Sequence, residues 1–125
     1  MTETRFAPDH VWVRLEGSMA TVGLTDFAQT QLGDITSVQL PGIGDLWMEN
    51  QNVVVIESTK TAMDLPMPLE GRIVAVNTAL LDNPALINSD PQGAGWVFRM
   101  TPDHQAEFAD LMDAAAYAAL VAAPK

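Results

Sequence analysis

Apolar and polar residues alternate through most of the chain. Val11, Val13 and Leu15 alternate with Trp12, Arg14 and Glu16, a period of two that predicts a strand. Glu16-Gly17-Ser18 supplies a turn, and Ala20, Val22 and Leu24 resume the alternation in a second strand, giving a hairpin. Thr25 is a cap for a short helix over residues 26–32, with an acid in its first turn and Gly33 just past its end. Alternation returns over 34–40, although Ile35 is out of phase with Val38 and Leu40. Pro41-Gly42-Ile43-Gly44 marks a corner, Trp47 and Met48 are expected to pack, and residues 49–52 are expected to turn. The β-branched run at 53–58 predicts a strand. An extended segment at 61–67 follows, held by Pro66 and Pro68 to an edge or an end of a sheet.

Residues 72–76 predict a further strand, and 96–100 a last one, after the turn cluster Asp90-Pro91-Gln92-Gly93-Ala94-Gly95. Between them Leu80, Leu81, Leu86 and Ile87 call for burial, and Asn83-Pro84 breaks any long helix. Thr101-Pro102-Asp103 has the cap, proline and acid of a helix start, so a C-terminal helix is predicted over residues 102–121. Phe108, Leu111, Met112, Ala115 and Ala119 then share one face. Short strands with turn signals and a terminal helix predict one mainly-β domain over residues 1–125, a small antiparallel sandwich with helices attached.

Composition narrows the function. The 125 residues are 48% hydrophobic and 18% charged, enough for one core. A net charge of −10 argues against nucleic acid, which needs clustered Lys and Arg, and favours docking to basic partner surfaces. The absence of cysteine excludes disulfides and thiolate metal sites, so any redox chemistry must come from an added group. No apolar run approaches a membrane span, and the first residues resemble neither a secretory signal nor a transit peptide; a cytoplasmic protein is expected.

One residue stands out chemically. The chain has two lysines, Lys60 and the last residue Lys125; its other basic side chains are Arg5, Arg14, Arg72 and Arg99. Lys60 sits at the polar corner Glu57-Ser58-Thr59-Lys60-Thr61. Arginine there would provide charge alone, whereas lysine offers an amine that can lose its proton and be acylated. A hairpin displaying one lysine for covalent modification is one reading; a solvated turn lysine is the plainer one. Glu57 and Asp64 flank the lysine, either as solvated carboxylates or as recognition elements. His10 and His104 are far apart without cysteine, so no metal site is expected, and His10 beside Trp12 suits packing or a local hydrogen bond. Gly42-Ile43-Gly44 lacks the following helix of a phosphate loop, and there is no Gly-x-Ser-x-Gly elbow or catalytic dyad. A non-enzyme is expected, with no catalytic residue.

Several segments, in order, resemble one family, the glycine cleavage system H proteins. They are Trp12-Val13-Arg14 with Glu16-Gly17; Ala20-Thr21-Val22-Gly23-Leu24-Thr25-Asp26-Phe27-Ala28-Gln29; Leu32-Gly33-Asp34-Ile35; Val38-Gln39-Leu40-Pro41; Glu57-Ser58-Thr59-Lys60 with Asp64, Pro68 and Gly71; residues 74–80; and Asn88-Ser89-Asp90-Pro91 with Gly95-Trp96. The resemblance covers roughly residues 7–120. It implies a barrel-sandwich hybrid of the lipoyl/biotinyl-carrier type, with a short internal helix and a C-terminal helix. It implies lipoic acid in amide linkage to Lys60, on a hairpin of Glu57, Ser58, Thr59, Thr61 and Asp64. Biotinyl domains place Met on both sides of their lysine; here both neighbours are Thr. The implied partners are a lipoate-protein ligase or lipoyl transferase and the glycine cleavage P-, T- and L-proteins, and the implied state is a monomer.

The departures bear on the pathway. The family's His-Glu-Trp is His10-Val11-Trp12 here, and in the family that glutamate helps hold the charged aminomethyl amine in a cleft. Val11 has no carboxylate to offer. Asp9 is placed to compensate in part, and Asp64 keeps the family's aspartate. The usual Val-Lys-Ala is Thr59-Lys60-Thr61, and a usual Tyr is Gln92. These changes lean the expectation towards an H-like lipoate-binding protein of sulfur oxidation, working with a heterodisulfide-reductase-like complex. The ordinary glycine cleavage role, or that of a scaffold or donor in lipoyl transfer, is the alternative.

Overall fold

The computed structural model describes residues 2–7 and 10–122. Among them nine strands build two antiparallel sheets. The larger holds β1 (Thr2–Ala7), β2 (Val11–Glu16), β3 (Met19–Leu24), β5 (Leu46–Trp47), β8 (Gly71–Val76) and β9 (Phe98–Pro102), in the order β1-β2-β3-β9-β8-β5. The smaller holds β4 (Ile35–Gln39), β6 (Asn52–Ser58) and β7 (Ala62–Pro66), in the order β4-β6-β7. The helices are α1 (Asp26–Leu32), α2 (Ala79–Asp82), α3 (Leu86–Ser89) and α4 (Ala114–Ala122).

The inward phase of each strand meets in one core. Val11, Val13, Val22 and Leu24 from one hairpin join Ile56 and Leu65 from the smaller sheet and Ile73 and Phe98 from the larger, all fully buried. Alternation produces this because successive side chains of a strand point to opposite faces. The phase change noted at Ile35 has a local cause. A bulge between Ile35 and Ser37 adds a residue to β4, so Ile35 and Val38 both turn inward. A smaller second cluster of Phe6, Trp12 and Tyr117 lies under α4.

Several sequence expectations need correction. β1 has no apolar periodicity and was not foreseen; its backbone pairs along the whole of β2. The helix expected over 102–121 is in fact three pieces. β9 runs on through Pro102, whose missing N–H suits a strand end as well as a first helical turn, and Asp103 N–H bonds to Glu70 O at 2.9 Å. A 3₁₀ helix, Gln105–Asp110, follows, and α4 begins only at Ala114. The break falls where Met112 exchanges two backbone hydrogen bonds with Phe6 of β1, 2.7 and 2.9 Å, which extends the chain there. Phe108 and Tyr117 turn inward, while Ala115 and Ala119 are exposed. Leu80 and Ile87 are buried as expected, but Leu81 is 60% exposed, and Met48 is 50% exposed beside a half-buried Trp47.

Trp12 shows how tightly the hairpin packs. It is fully buried, donates its indole N–H to Pro91 O at 2.9 Å, and lies opposite Gly23 in the ladder. A Cβ on Gly23 would stand 2.8 Å from two carbons of that ring. Gly23→Ala is therefore expected to cost about 1–3 kcal/mol of unfolding free energy through overpacking. The check is a lower urea midpoint with an unchanged slope.

Candidate carrier site

The ladder between β6 and β7 ends at the pair Glu57 and Ala62, leaving Ser58, Thr59, Lys60 and Thr61 to turn the chain. Ser58 closes the turn. Its N–H donates to Thr61 O at 2.8 Å, and its Oγ accepts from the N–H of Lys60 at 3.2 Å and of Thr61 at 3.1 Å. A serine hydroxyl caps a turn in this way by satisfying main-chain donors that have no ladder partner. Thr59, Lys60 and Thr61 are exposed. Among the described residues the Lys60 ammonium makes no ion pair or hydrogen bond.

The turn is backed by the segment that ends α1. Thr25 caps this helix through Oγ1, which accepts from Ala28 N–H at 3.2 Å, and Gly33 terminates it at φ 81°, ψ −154°. That backbone region is essentially open to glycine alone. The same glycine lies under the lysine stem: a Cβ there would stand 2.8 Å from Lys60 Cε. Asp34 O accepts from Thr59 N–H at 3.0 Å. Asn88 on α3 holds the segment from behind. Its Oδ1 accepts from Ile35 N–H, and its Nδ2 donates to Gly33 O and to Gln29 Oε1, each at 2.9 Å.

Beside the turn is a cleft of about 420 Å³. His10 and the α1 residues Ala28, Gln31 and Leu32 line it together with Asn52, Met63 and Asp64 from β6 and β7. Among the described residues Asp64 is its carboxylate, and the other polar groups that line it are the amides of Gln31 and Asn52 and the His10 imidazole. The His10 ring packs on Phe27, centroids 4.5 Å apart, and its Nδ1 is 2.9 Å from Tyr117 Oη. Tyr117 Oη is also 2.7 Å from Thr25 Oγ1, and its ring stacks on Phe6 at 4.4 Å. Burial raises the Tyr117 pKa above its ordinary 10.0, with the Thr25 hydrogen bond working weakly the other way.

The structure thus gathers Ser58, Thr59, Lys60 and Thr61 at one tip and sets Asp64 in the neighbouring cleft. Glu57, one residue before the turn, accepts from Ser37 Oγ at 2.8 Å, its backbone carbonyl accepts from Thr36 Oγ1, and it is not paired with the lysine. Val11 is placed elsewhere: it is fully buried in the core and does not line the cleft. Asp9 lies outside the described residues. His10 does pack and hydrogen-bond locally, as its neighbours indicated, but it also faces the cleft. That position follows from a backbone at φ 63° that no sequence pattern revealed.

A small two-sheet β domain with one amine raised on a braced turn fits a carrier domain of the barrel-sandwich hybrid type. The comparisons are specific about which. The family model for glycine cleavage H-proteins matches residues 4–123. The glycine cleavage system H protein of Acidiphilium cryptum is 46% identical over 122 residues, 98% of each chain. That of Bacteroides thetaiotaomicron is 44% identical over 117 residues, 94% of this chain and 93% of the relative. A crystal structure of the H protein from Mycobacterium marinum superposes with a TM-score of 0.87 at 37% identity, covering 97% of this chain and 98% of that one. The chain belongs to the glycine cleavage H-protein family, whose members are non-catalytic carriers with lipoic acid attached covalently to a lysine.

The Tyr117 shift has a consequence for stability. The folded state holds the phenolic proton more tightly than the unfolded chain does, so its contribution is complete below pH 10.0 and is lost as pH rises through the higher folded value. Tyr117 is the only tyrosine. Tyr117→Phe is expected to flatten the alkaline fall in stability, measured as urea midpoints between about pH 8 and about pH 11. An equally steep fall in the variant removes the assignment.

Proposed function

We propose that Lys60 is the lipoyl attachment site and that the chain is the H component of glycine cleavage, carrying the aminomethyl group from the P-protein to the T-protein. The observation that carries this reading is the Lys60 amine itself. It is exposed on a turn braced by Ser58, Asp34 and Gly33, with no acid partner to release among the described residues before acylation. The residues fit the group: the neighbours Thr59 and Thr61 are small and leave the amine open to a lipoate-protein ligase or lipoyl transferase. Lipoic acid supplies a dithiolane, which a chain without cysteine cannot make.

The chain's own part is to hold and to shelter. The braced turn fixes where the arm starts, so a tethered cargo reaches a docked partner at a high effective concentration. The cleft offers the Asp64 carboxylate to a cationic amine in partly apolar surroundings, where a charge-assisted hydrogen bond is stronger than in water. The L-protein completes the set of partners, and the cytoplasm is the compartment in which we place them. No helix among the described residues is long and apolar enough to cross a membrane.

The sulfur-oxidation expectation, with its heterodisulfide-reductase-like partner, loses its basis. It rested on Val11 as part of the cleft and on the altered hairpin around Lys60; Val11 is a core residue that does not line the cleft, and the hairpin changes alone do not favour sulfur chemistry over the glycine role. The relatives named above are glycine cleavage H proteins at 44–46% identity. Two measurements test the proposal. Coexpression with a lipoate-protein ligase is expected to add the mass of one lipoyl group to the intact chain and none to Lys60→Arg; an addition to the variant places attachment elsewhere. The lipoylated protein is expected to support glycine decarboxylation with P- and T-proteins, and failure to turn over excludes the glycine role.

A further inference from the structure

The outer face of the larger sheet carries a row of side chains that the carrier role does not use. Thr4 of β1, Arg14 of β2, Thr21 of β3 and Arg99 of β9 are partners in successive ladders, so their side chains share one face. On the opposite face Val13, Val22 and Phe98 fill the core. Both arginines are half-buried and lie on indoles: Arg14 Cζ is 4.7 Å from the Trp12 ring centroid, and Arg99 Cζ is 4.3 Å from that of Trp96. Trp96 packs against the cluster that contains Trp12, so the two guanidinium groups flank one aromatic patch. Arg14 donates to Gln92 O at 2.6 Å and Arg99 Nε donates to Thr21 Oγ1 at 3.3 Å, which leaves further N–H groups on each. Neither arginine forms an ion pair among the described residues, although Glu16 shares the strand and face of Arg14.

Thr21, between them in the register, is the second observation. It is 2% exposed, its Oγ1 accepts from Arg99, and its own hydroxyl proton has no acceptor among the described residues. A buried donor of this kind ordinarily has one. Arg14 and Arg99 stand two strand spacings apart, about 10 Å between backbones, a span that two long side chains can bracket. We propose that Arg14, Thr21 and Arg99 form a docking site for a carboxylate side chain on an acidic segment of a partner protein. A guanidinium fork matches a carboxylate, and stacking on an indole holds the fork in place before the partner arrives. The occupant follows from charge and shape. The net −10 of the body repels a free anion and a second copy of the chain alike, whereas a carboxylate carried by a docked protein is held there by the rest of that interface. The site stands whether or not Lys60 carries an arm.

The test uses the full, unlipoylated chain, with the Nε–H resonances of the arginines and the indole N–H of Trp96 followed by NMR at low salt. The probe is a short peptide blocked at both ends that carries two glutamates, with its glutamine counterpart as control. The acidic peptide is expected to shift the Arg14, Arg99 and Trp96 signals saturably, and the glutamine peptide to leave them in place. Arg99→Gln is expected to weaken binding roughly tenfold, as for loss of a charged hydrogen bond. Thr21→Val, which keeps the buried shape, is expected to weaken it as well and serves if the arginine variant does not fold. Arg72→Gln makes the same charge change at an exposed position and is expected to alter the affinity less than about twofold. Unmoved signals, an equal response to the glutamine peptide, or an Arg72→Gln loss as large as that of Arg99→Gln overturns the site. Inorganic phosphate binding as tightly as the peptide overturns the partner carboxylate as its occupant. An unmodified Lys60 after coexpression with a ligase sinks the carrier reading and leaves this result untouched.

Discussion

The turn at Ser58–Thr61, where we propose the arm is attached, must hold still on its own, because a carrier that swings its arm cannot also swing its base. Two ladder strands alone do not ensure this; a hairpin tip is the part of a sheet with the fewest contacts. Here three supports meet it. Ser58 Oγ gathers the main-chain donors that the ladder leaves over, Asp34 O takes Thr59 N–H, and Gly33 gives the lysine stem a flat surface. Gly33 serves three demands at once: it ends α1 at a positive φ, passes its carbonyl to Asn88, and leaves room for Lys60 Cε. Any side chain there would act on the helix end and on the lysine together.

Charge works in the same direction. A net −10 repels most anionic neighbours and draws the chain towards basic docking surfaces, while one unpaired ammonium at the tip is a local exception. Acylation of Lys60, as proposed, would remove that exception and leave a neutral amide on an acidic body, so orientation towards a partner would depend on the body's field rather than on the arm. The sparing use of lysine in the folded part follows the same logic, since arginine supplies charge without offering a second acylation site.

Much of this was legible in the alternation. β2, β3, β6 and β8 were placed within a residue or two, and the cap at Thr25 and the stop at Gly33 were read from residue type alone, because both depend on local chemistry. What failed depends on contacts distant in sequence. β1 shows no apolar alternation and is set by pairing with β2, and the C-terminal helix stops short of its expected start because Met112 is claimed by Phe6. At the site, the lysine turn was visible from its residue types. The cleft was not, since His10, Gln31, Asn52 and Met63 come together only in three dimensions. Val11 was misplaced for a related reason: a match at one sequence position does not say which face of a strand the side chain takes.

The last helix shows how little sequence is needed to set an element when tertiary contacts do the work. α4 is nine residues, too short to persist alone in water, and its alanines are exposed along most of its length. It is held by Tyr117 stacking on Phe6 and by the Phe6–Met112 bridge one turn upstream. Both holds are on β1, the strand the pattern did not reveal. The same tyrosine that seats the helix reaches past it to Thr25 and His10. The edge strand, the terminal helix, the cap of α1 and the wall of the cleft therefore share one phenol. Displacing α4 from β1 would take that phenol away from both the imidazole at the cleft and the threonine cap.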